Sequence, residues 1–388
     1  MNTRSFPQVA IYHSILWSKY KGVVFSEVYS QSNLRGVDTS FIQVAETEAQ
    51  RVALAGIDLS YHRYPYRLLF EGSYDSVPLH RRVIALSRDV IKNPCDLVVL
   101  PNYDRFEYWV MLMICMLIRR KRAVVCDSTL YDRPRPLWKE IAKGMFFRRC
   151  DGYFCYGIRS KEYLLGYGVD EFKVKYRRQA AALPHDYDAS QILNHYKSRT
   201  NDPRPTVSFI YVGRFSKEKG LGDLLDAFRK VHETIPGAKL NLVGAGALNS
   251  SLIERVEKLG LSSTVCFLGS MNLEQFAPLL MESAALVLPS NSEPWGLVVN
   301  EALSYGCPVV VSNVCGCVPE LVRDGITGYS FPVGDVAALA QAMISAAQMS
   351  INRFEVAKQC LDIIAPYSPQ NSAAQMLDGC IAIMEGSS

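Results

Sequence analysis

Thr206-Val-Ser-Phe-Ile-Tyr-Val-Gly-Arg-Phe-Ser-Lys-Glu-Lys-Gly220 is the stretch on which the fold turns. Its first seven residues form a β-branched and aromatic run that stops at Gly213, and a basic turn then leads into a helical pattern from Leu221 to His232. The same strand-then-helix unit recurs at Leu240 to Val243 with Leu248 to Leu259, Val265 to Leu268 with Leu273 to Ser283, Leu286 to Leu288 with Leu297 to Tyr305, and Val309 to Val311 with Val318 to Arg323. Continuous apolar strands alternating with amphipathic helices predict a parallel sheet covered on both faces, a Rossmann-like α/β domain.

Outward from this core, the first half follows the same logic in shorter pieces. Val9 to Tyr12 reads as a strand, Phe25 to Leu34 as a helix, Thr39 to Val44 as a second strand, and Leu97 to Leu100 and Ala123 to Cys126 as later buried strands. The stretch from Ser198 to Pro205 is polar with two prolines, the composition of a linker. The expected division is residues 1–200, residues 201–366, and a closing segment 367–388 in which Pro369 to Glu385 forms a helix. A chain of 388 residues also exceeds the roughly 250 to 300 at which one core stops growing. Two such domains leave a cleft at the carboxyl ends of their strands, where open α/β sheets bind ligands.

Composition excludes several classes. Apolar residues make up 49% and charged residues 21%, which rules out global disorder. The longest apolar run, Trp109 to Ile118, is too short to span a bilayer and reads as a buried helix. Val9 to Trp17 lacks a cleavage site, so the expected location is the cytoplasm. The 11 cysteines form no CxxC pair and read as reduced thiols, with Cys315-Gly-Cys317 as small-residue packing. Residues 1–190 carry 28 Lys+Arg against 20 Asp+Glu, and the excess lies in that half, since the whole chain is +4. A basic first half suits an anionic acceptor or an anionic membrane surface, with solvated surface charge as the competing reading.

Chemistry concentrates in two segments. In Gly213-Arg214 to Lys219-Gly220, glycine permits close backbone approach at a helix entrance, Arg214 can grip phosphate oxygens through two nitrogens, and Lys219 supplies a mobile point charge. Lys217 has no spacing argument and reads as solvated. In Glu293-Pro-Trp-Gly-Leu-Val-Val-Asn-Glu301, Glu293 stands at the strand-to-helix mouth. Glu301 falls on an apolar helical stripe, where a carboxylate needs hydrogen-bond donors such as sugar or ribose hydroxyls, or a partner inside the fold.

From Val207 to Asp335 the pieces VGRFSKEKG, NLVGAGA, VCFLGS, LVLPSNSEPWGLVVNEALSYGCPVVVS and ELVRDGITGYSFPVGD stand in an order that resembles the C-terminal domain of retaining GT-B glycosyltransferases of glycosyltransferase family 4. The resemblance implies a GT-B fold, two Rossmann-like domains with a ligand cleft between them, and transfer of a sugar from a nucleotide-diphosphate donor, a UDP-sugar by family frequency. It implies that Arg214 and Lys219 neutralise the diphosphate, with Gly213 beside them. Glu293 then meets the sugar hydroxyls, Glu301 the ribose, the Gly296 and Leu297 amides the sugar or phosphate, and Leu268 the base. No cofactor and no metal are expected. The alternatives are a sugar-nucleotide epimerase of the same fold and a catalytically silent nucleotide-sugar-binding protein.

The N-terminal domain resembles the family more faintly. In Tyr20-Lys21-Gly22-Val23, Gly22 is the one remaining member of a glycine pair that relatives place beside the diphosphate. Cys126-Asp127-Ser128 stands where many relatives have a histidine, so Asp127 becomes the candidate polar assistant, with a capping or salt-bridged aspartate as the alternative. His13, Arg133 and Arg135 are candidates for the acceptor side. The mixture of cations and bulky apolar residues from Arg133 to Arg149 fits either a helix at an anionic lipid surface or a core-packed helix with snorkelling arginines. Asp186-Tyr-Asp188 reads as a polar loop. The acceptor is expected to be a glycan, a lipid-linked molecule or a small molecule, and no nucleic acid is expected.

Overall fold

A computed structural model describes residues 6–51, 56–131, 136–199, 206–349 and 351–386. The chain divides into two units. The first takes the chain to Leu130, continues to Ala182, and resumes at Ser368; the second takes Leu183–Tyr367 together with Tyr131.

The first unit contains β1 (Gln8–Ile15), α1 (Lys19–Ser32), β2 (Asp38–Ala45), β3 (Tyr66–Leu68), α2 (Leu79–Lys92), β4 (Leu97–Leu100), α3 (Phe106–Leu117), β5 (Lys121–Cys126), α4 (Leu137–Phe147), β6 (Gly152–Cys155), α5 (Ile158–Gly166) and β7 (Val174–Tyr176). Its seven strands form a parallel sheet in the order β3-β2-β1-β4-β5-β6-β7, with Val9 opposite both Thr39 and Leu97. Every residue of β4 and β6 is buried, as a sheet with helices on both faces requires. The strand order reverses between β1 and β4, so the carboxyl ends there open into a crevice.

The segment Trp109 to Ile118 is not the buried helix expected from its apolar run. α3 buries Tyr108, Met111, Leu112 and Cys115, but Phe106 is 63%, Met113 59% and Leu117 80% exposed. A helix lying on one face of a sheet can turn only one stripe inward, and here the outward stripe is apolar too. Trp109 is half-buried against Phe146 of α4, ring centroids 5.1 Å apart.

The second unit contains α6 (Ala189–Ser198), β8 (Ser208–Val212), α7 (Leu221–Thr234), β9 (Lys239–Val243), α8 (Asn249–Lys258), β10 (Val265–Gly269), α9 (Leu273–Glu282), β11 (Ala285–Leu288), α10 (Leu297–Ser304), β12 (Val309–Ser312), α11 (Val318–Leu321), β13 (Gly328–Phe331), α12 (Val336–Met349) and α13 (Arg353–Ile364). Its six strands are parallel, in the order β10-β9-β8-β11-β12-β13. The chain joins this unit at Leu183, ahead of the proline-bearing stretch read as a linker. Tyr187 donates its hydroxyl to the Ser304 carbonyl at 2.6 Å and Tyr196 to the Tyr305 carbonyl at 3.0 Å, which ties α6 down. Asp188, the second aspartate of Asp186-Tyr-Asp188, accepts from the Ser190 amide at 2.8 Å and caps α6.

The last helix, α14 (Pro369–Glu385), belongs to the first unit. Ile383 fills the space that a side chain at Gly152 would need, and Phe154 does the same at Gly379. Lys121 donates to the carbonyls of Ile383 and Met384 at 2.9 and 2.6 Å, and Arg35 pairs with Asp378.

Candidate active site

In the second unit the turn after β8 is built by backbone pairing. The Gly213 amide donates to the Val243 carbonyl at 3.0 Å and the Phe215 amide to the Ala245 carbonyl at 2.9 Å, while the Phe215 ring is fully buried. This leaves Arg214 pointing away from the core, its side chain 55% exposed and 3.4 Å from Glu218. Ser216 donates to Glu218 at 2.7 Å, and that hydrogen bond, with Arg214 and Lys219 adding to it, holds the carboxyl below its ordinary range. Lys217 is exposed.

Gly220 caps α7 at φ 65°, and a Cβ there would stand 2.1 Å from the Pro289 carbonyl oxygen. Only glycine allows the turn to lie this close to the loop after β11. The Asn291 amide donates to the Glu218 carbonyl at 2.8 Å and reinforces that approach. The result is an ion pair between Lys219 and Glu293, each side chain 15% exposed, with Ser290 donating to the same carboxylate at 3.3 Å.

The Glu293-Pro-Trp segment is held from below by Cys315-Gly-Cys317. The Gly316 amide donates to the Glu293 carbonyl and the Cys317 amide to the Trp295 carbonyl, both at 3.0 Å. A Cβ on Gly316 would sit 1.8 Å from the Pro294 oxygen, so the glycine between the cysteines serves packing. Gly296 takes a left-handed conformation, φ 95°, and opens α10 with Leu297 as its first residue. Glu301 lies on that helix, half-buried, and its carboxylate makes no hydrogen bond or ion pair among the described residues. Burial alone pushes its carboxyl up to about 7. Leu268 is half-buried on β10.

In the first unit the candidates sit at the carboxyl ends of the strands. His13, near the end of β1, lies 3.2 Å from the Gln43 amide oxygen and edge-on to Phe25. Burial, and next the Lys21 cation, push its imidazole down to about 3, so it is neutral. Gly22 does not present an open surface: a Cβ there would stand 2.9 Å from the His62 ring and from the Tyr61 carbonyl oxygen. Its missing side chain admits His62. Asp127 follows β5 and is exposed. Arg133 and Arg135 lie outside the described residues.

Sequence reading passed over Lys21, Arg177, Tyr156, Glu218 and Ser290. Glu218 carried a signal, four residues after Arg214 at ion-pair spacing. The others come from a helix and from loops after different strands, and spacing along the chain does not connect them.

Residues 195–360 match the family described as "Glycosyl transferases group 1". Among curated proteins the chain is similar to a glycogen synthase of Mycobacterium tuberculosis, 39% identical over 139 residues, which is 36% of this chain and 33% of that protein. It is also similar to the N-acetyl-alpha-D-glucosaminyl L-malate synthase of Bacillus anthracis, 36% identical over 176 residues, 45% of this chain and 42% of that one. The chain thus spans about a third to two fifths of the length of these relatives. Among solved structures, Anabaena HepE in complex with UDP superposes with a TM-score of 0.72 at 17% identity, covering 97% of this chain and 100% of the other, a likeness of fold. With two parallel sheets, a basic turn after the first strand of the second and these matches, residues 195–360 carry the group 1 glycosyltransferase domain of glycosyltransferase family 4, and the chain has the GT-B fold.

Proposed function

We propose that the chain is a retaining glycosyltransferase that binds a nucleotide-diphosphate sugar, a UDP-sugar, on its second unit and transfers the sugar to a glycan, lipid-linked or small-molecule acceptor. Glu301 is the observation that carries this reading. A half-buried carboxylate without a partner among the described residues, pushed up to about 7 by burial, gains most from hydroxyl donors such as those of a ribose. HepE, whose fold the chain shares, was solved with UDP, with UDP and glucose, and with UDP-glucose, which favours the uridine donor.

The remaining roles follow from charge. Arg214 and Lys219 face the diphosphate, and Lys219 exchanges Glu293 for phosphate oxygens when the donor binds. Glu293 is then free to accept from sugar hydroxyls. In the transfer, the bond from the anomeric carbon to the diphosphate oxygen breaks, the acceptor oxygen bonds to that carbon, and the acceptor proton passes either to the departing diphosphate or to Asp127. Negative charge grows on the leaving group, so cations held in place stabilise the transition state more than the ground state. Asp127 assists by contact with a sugar hydroxyl or by receiving the acceptor proton, with His13, Arg133 and Arg135 on the acceptor side.

The acceptor is proposed to be met at an anionic membrane face. No described helix is long and apolar enough to cross a membrane. α4 nevertheless exposes Leu137, Trp138, Ile141 and Met145 next to Lys139 and Arg148, and α3 beside it exposes the apolar stripe described above.

The test is nucleoside-diphosphate release from a panel of nucleotide sugars, with and without a cell extract as acceptor source. Acceptor-stimulated release is expected from a UDP-sugar, and Arg214→Ala and Glu301→Ala should each lower kcat/KM at least about tenfold, about 1.4 kcal/mol. Interconversion of two nucleotide sugars would identify an epimerase instead, and unchanged kinetics in both variants would remove these residues from the site.

A further inference from the structure

The end of the first sheet holds two buried cations and, among the described residues, too little protein charge to balance them. Arg177 directly follows β7 and is 1% exposed. Its Nε, Nη1 and Nη2 are all closed off from solvent and have no hydrogen-bond partner among the described residues. The guanidinium carbon lies over the Tyr156 ring, 5.0 Å from its centroid. Lys21, 5% exposed on α1, reaches the same ring from 4.9 Å and donates to the Tyr156 hydroxyl.

The described groups around this pair do not neutralise it. Asp127 is the carboxylate whose field reaches Lys21, and it is exposed, one negative charge against two positive. His13 is neutral, and burial pushes the Tyr20 and Tyr156 hydroxyls up, so both stay uncharged. Arg177 in turn pushes the Lys21 ammonium down, second only to burial. A guanidinium without partners in a dry site is costly, and the cost is recovered only when an anion arrives. Its planar fork of donors fits two oxygens of a phosphate or a carboxylate, and a lysine beside it adds a point charge. Lys21 and Arg177 also come from segments at the carboxyl edge of a parallel sheet, where ligands of such sheets bind.

We propose that Lys21 and Arg177 form a binding site for a phosphate or carboxylate group, stacked against Tyr156, and that this group belongs to a substrate of the enzyme. The last clause rests on the glycosyltransferase reading; the anion site itself does not. The anion has two sources, the donor diphosphate or an acidic acceptor, and the same chemistry receives either.

The experiment uses the full chain with inorganic phosphate, acetate and UDP as probes, followed by calorimetry and thermal melting. Phosphate should raise the melting temperature of the wild type, and Arg177→Met and Lys21→Gln should each weaken phosphate binding at least about tenfold. If UDP affinity also falls about tenfold in Arg177→Met, the site takes the donor diphosphate; if UDP binds as before while phosphate is lost, it takes an acidic acceptor. Either result supports the site. Without ligand, Arg177→Met should melt at or above the wild-type temperature, because it removes a charge that nothing balances, and circular dichroism checks that it is folded. Equal phosphate and acetate affinity in wild type and both variants, or no binding to the wild type, overturns the proposal. Absence of any UDP binding or sugar transfer by the wild type would sink the glycosyltransferase reading and leave the phosphate result standing.

Discussion

At the scale of single residues, Glu301 ties stability to pH. Its carboxyl titrates at about 7 in the fold against an ordinary 4.5, so the native state holds the proton longer than the unfolded chain. Stability therefore falls as pH rises from about 4.5 to about 7 and is flat above that window. Glu301→Gln should remove this slope and raise the melting temperature at pH 8, with little difference from wild type at pH 4; equal melting at both pH values would mean the carboxylate is solvated or paired. The same variant should bind UDP more weakly, since an amide accepts hydroxyls less well than a carboxylate. Glu301 was legible in the sequence because a carboxylate on an apolar helical stripe contradicts its surroundings. Lys21 and Arg177 were not. Each looks like an ordinary surface cation along the chain, and only the pairing of β6 with β7 brings Arg177 to the ring of Tyr156.

Among elements, the close passage of the β8–α7 turn over the loop after β11 sets the site. Gly220→Ala places a Cβ against a backbone oxygen and forces a side-chain-bearing residue to keep φ at 65°. The expected loss is about 1–3 kcal/mol in urea unfolding, and the turn should shift enough to separate Lys219 from Glu293 and weaken UDP binding. Wild-type stability in this variant would show that the turn relaxes freely. The second unit was readable from β8 through α11 because each buried strand is a continuous apolar run and each helix has a clear amphipathic period. The first unit was less so. β3 and β7 have three residues each, too few to show a pattern, and α3 hid its orientation because both of its stripes are apolar. The contact that fills the space beside Gly22, His62, comes from a loop that carries no motif.

On the scale of the whole molecule, the exposed stripes of α3 and α4 predict recruitment to lipid. The chain should float with vesicles of about one-third anionic phospholipid and not with neutral ones, as Lys139, Arg119 and Arg148 contribute about 1 kcal/mol each near such a surface. Trp138→Glu with Ile141→Glu should weaken flotation at least about tenfold, because each apolar side chain withdrawn from the bilayer boundary forfeits on the order of 1–2 kcal/mol. Flotation that ignores lipid charge would detach the basic residues from this role.

The position of α14 has a consequence for synthesis. Gly152 and Phe154 are translated ahead of the second unit, but they lie on a face whose cover, Gly379 and Ile383, is translated only after it. The nascent first unit must therefore wait with that groove open, and of the two units the one begun earlier is completed later.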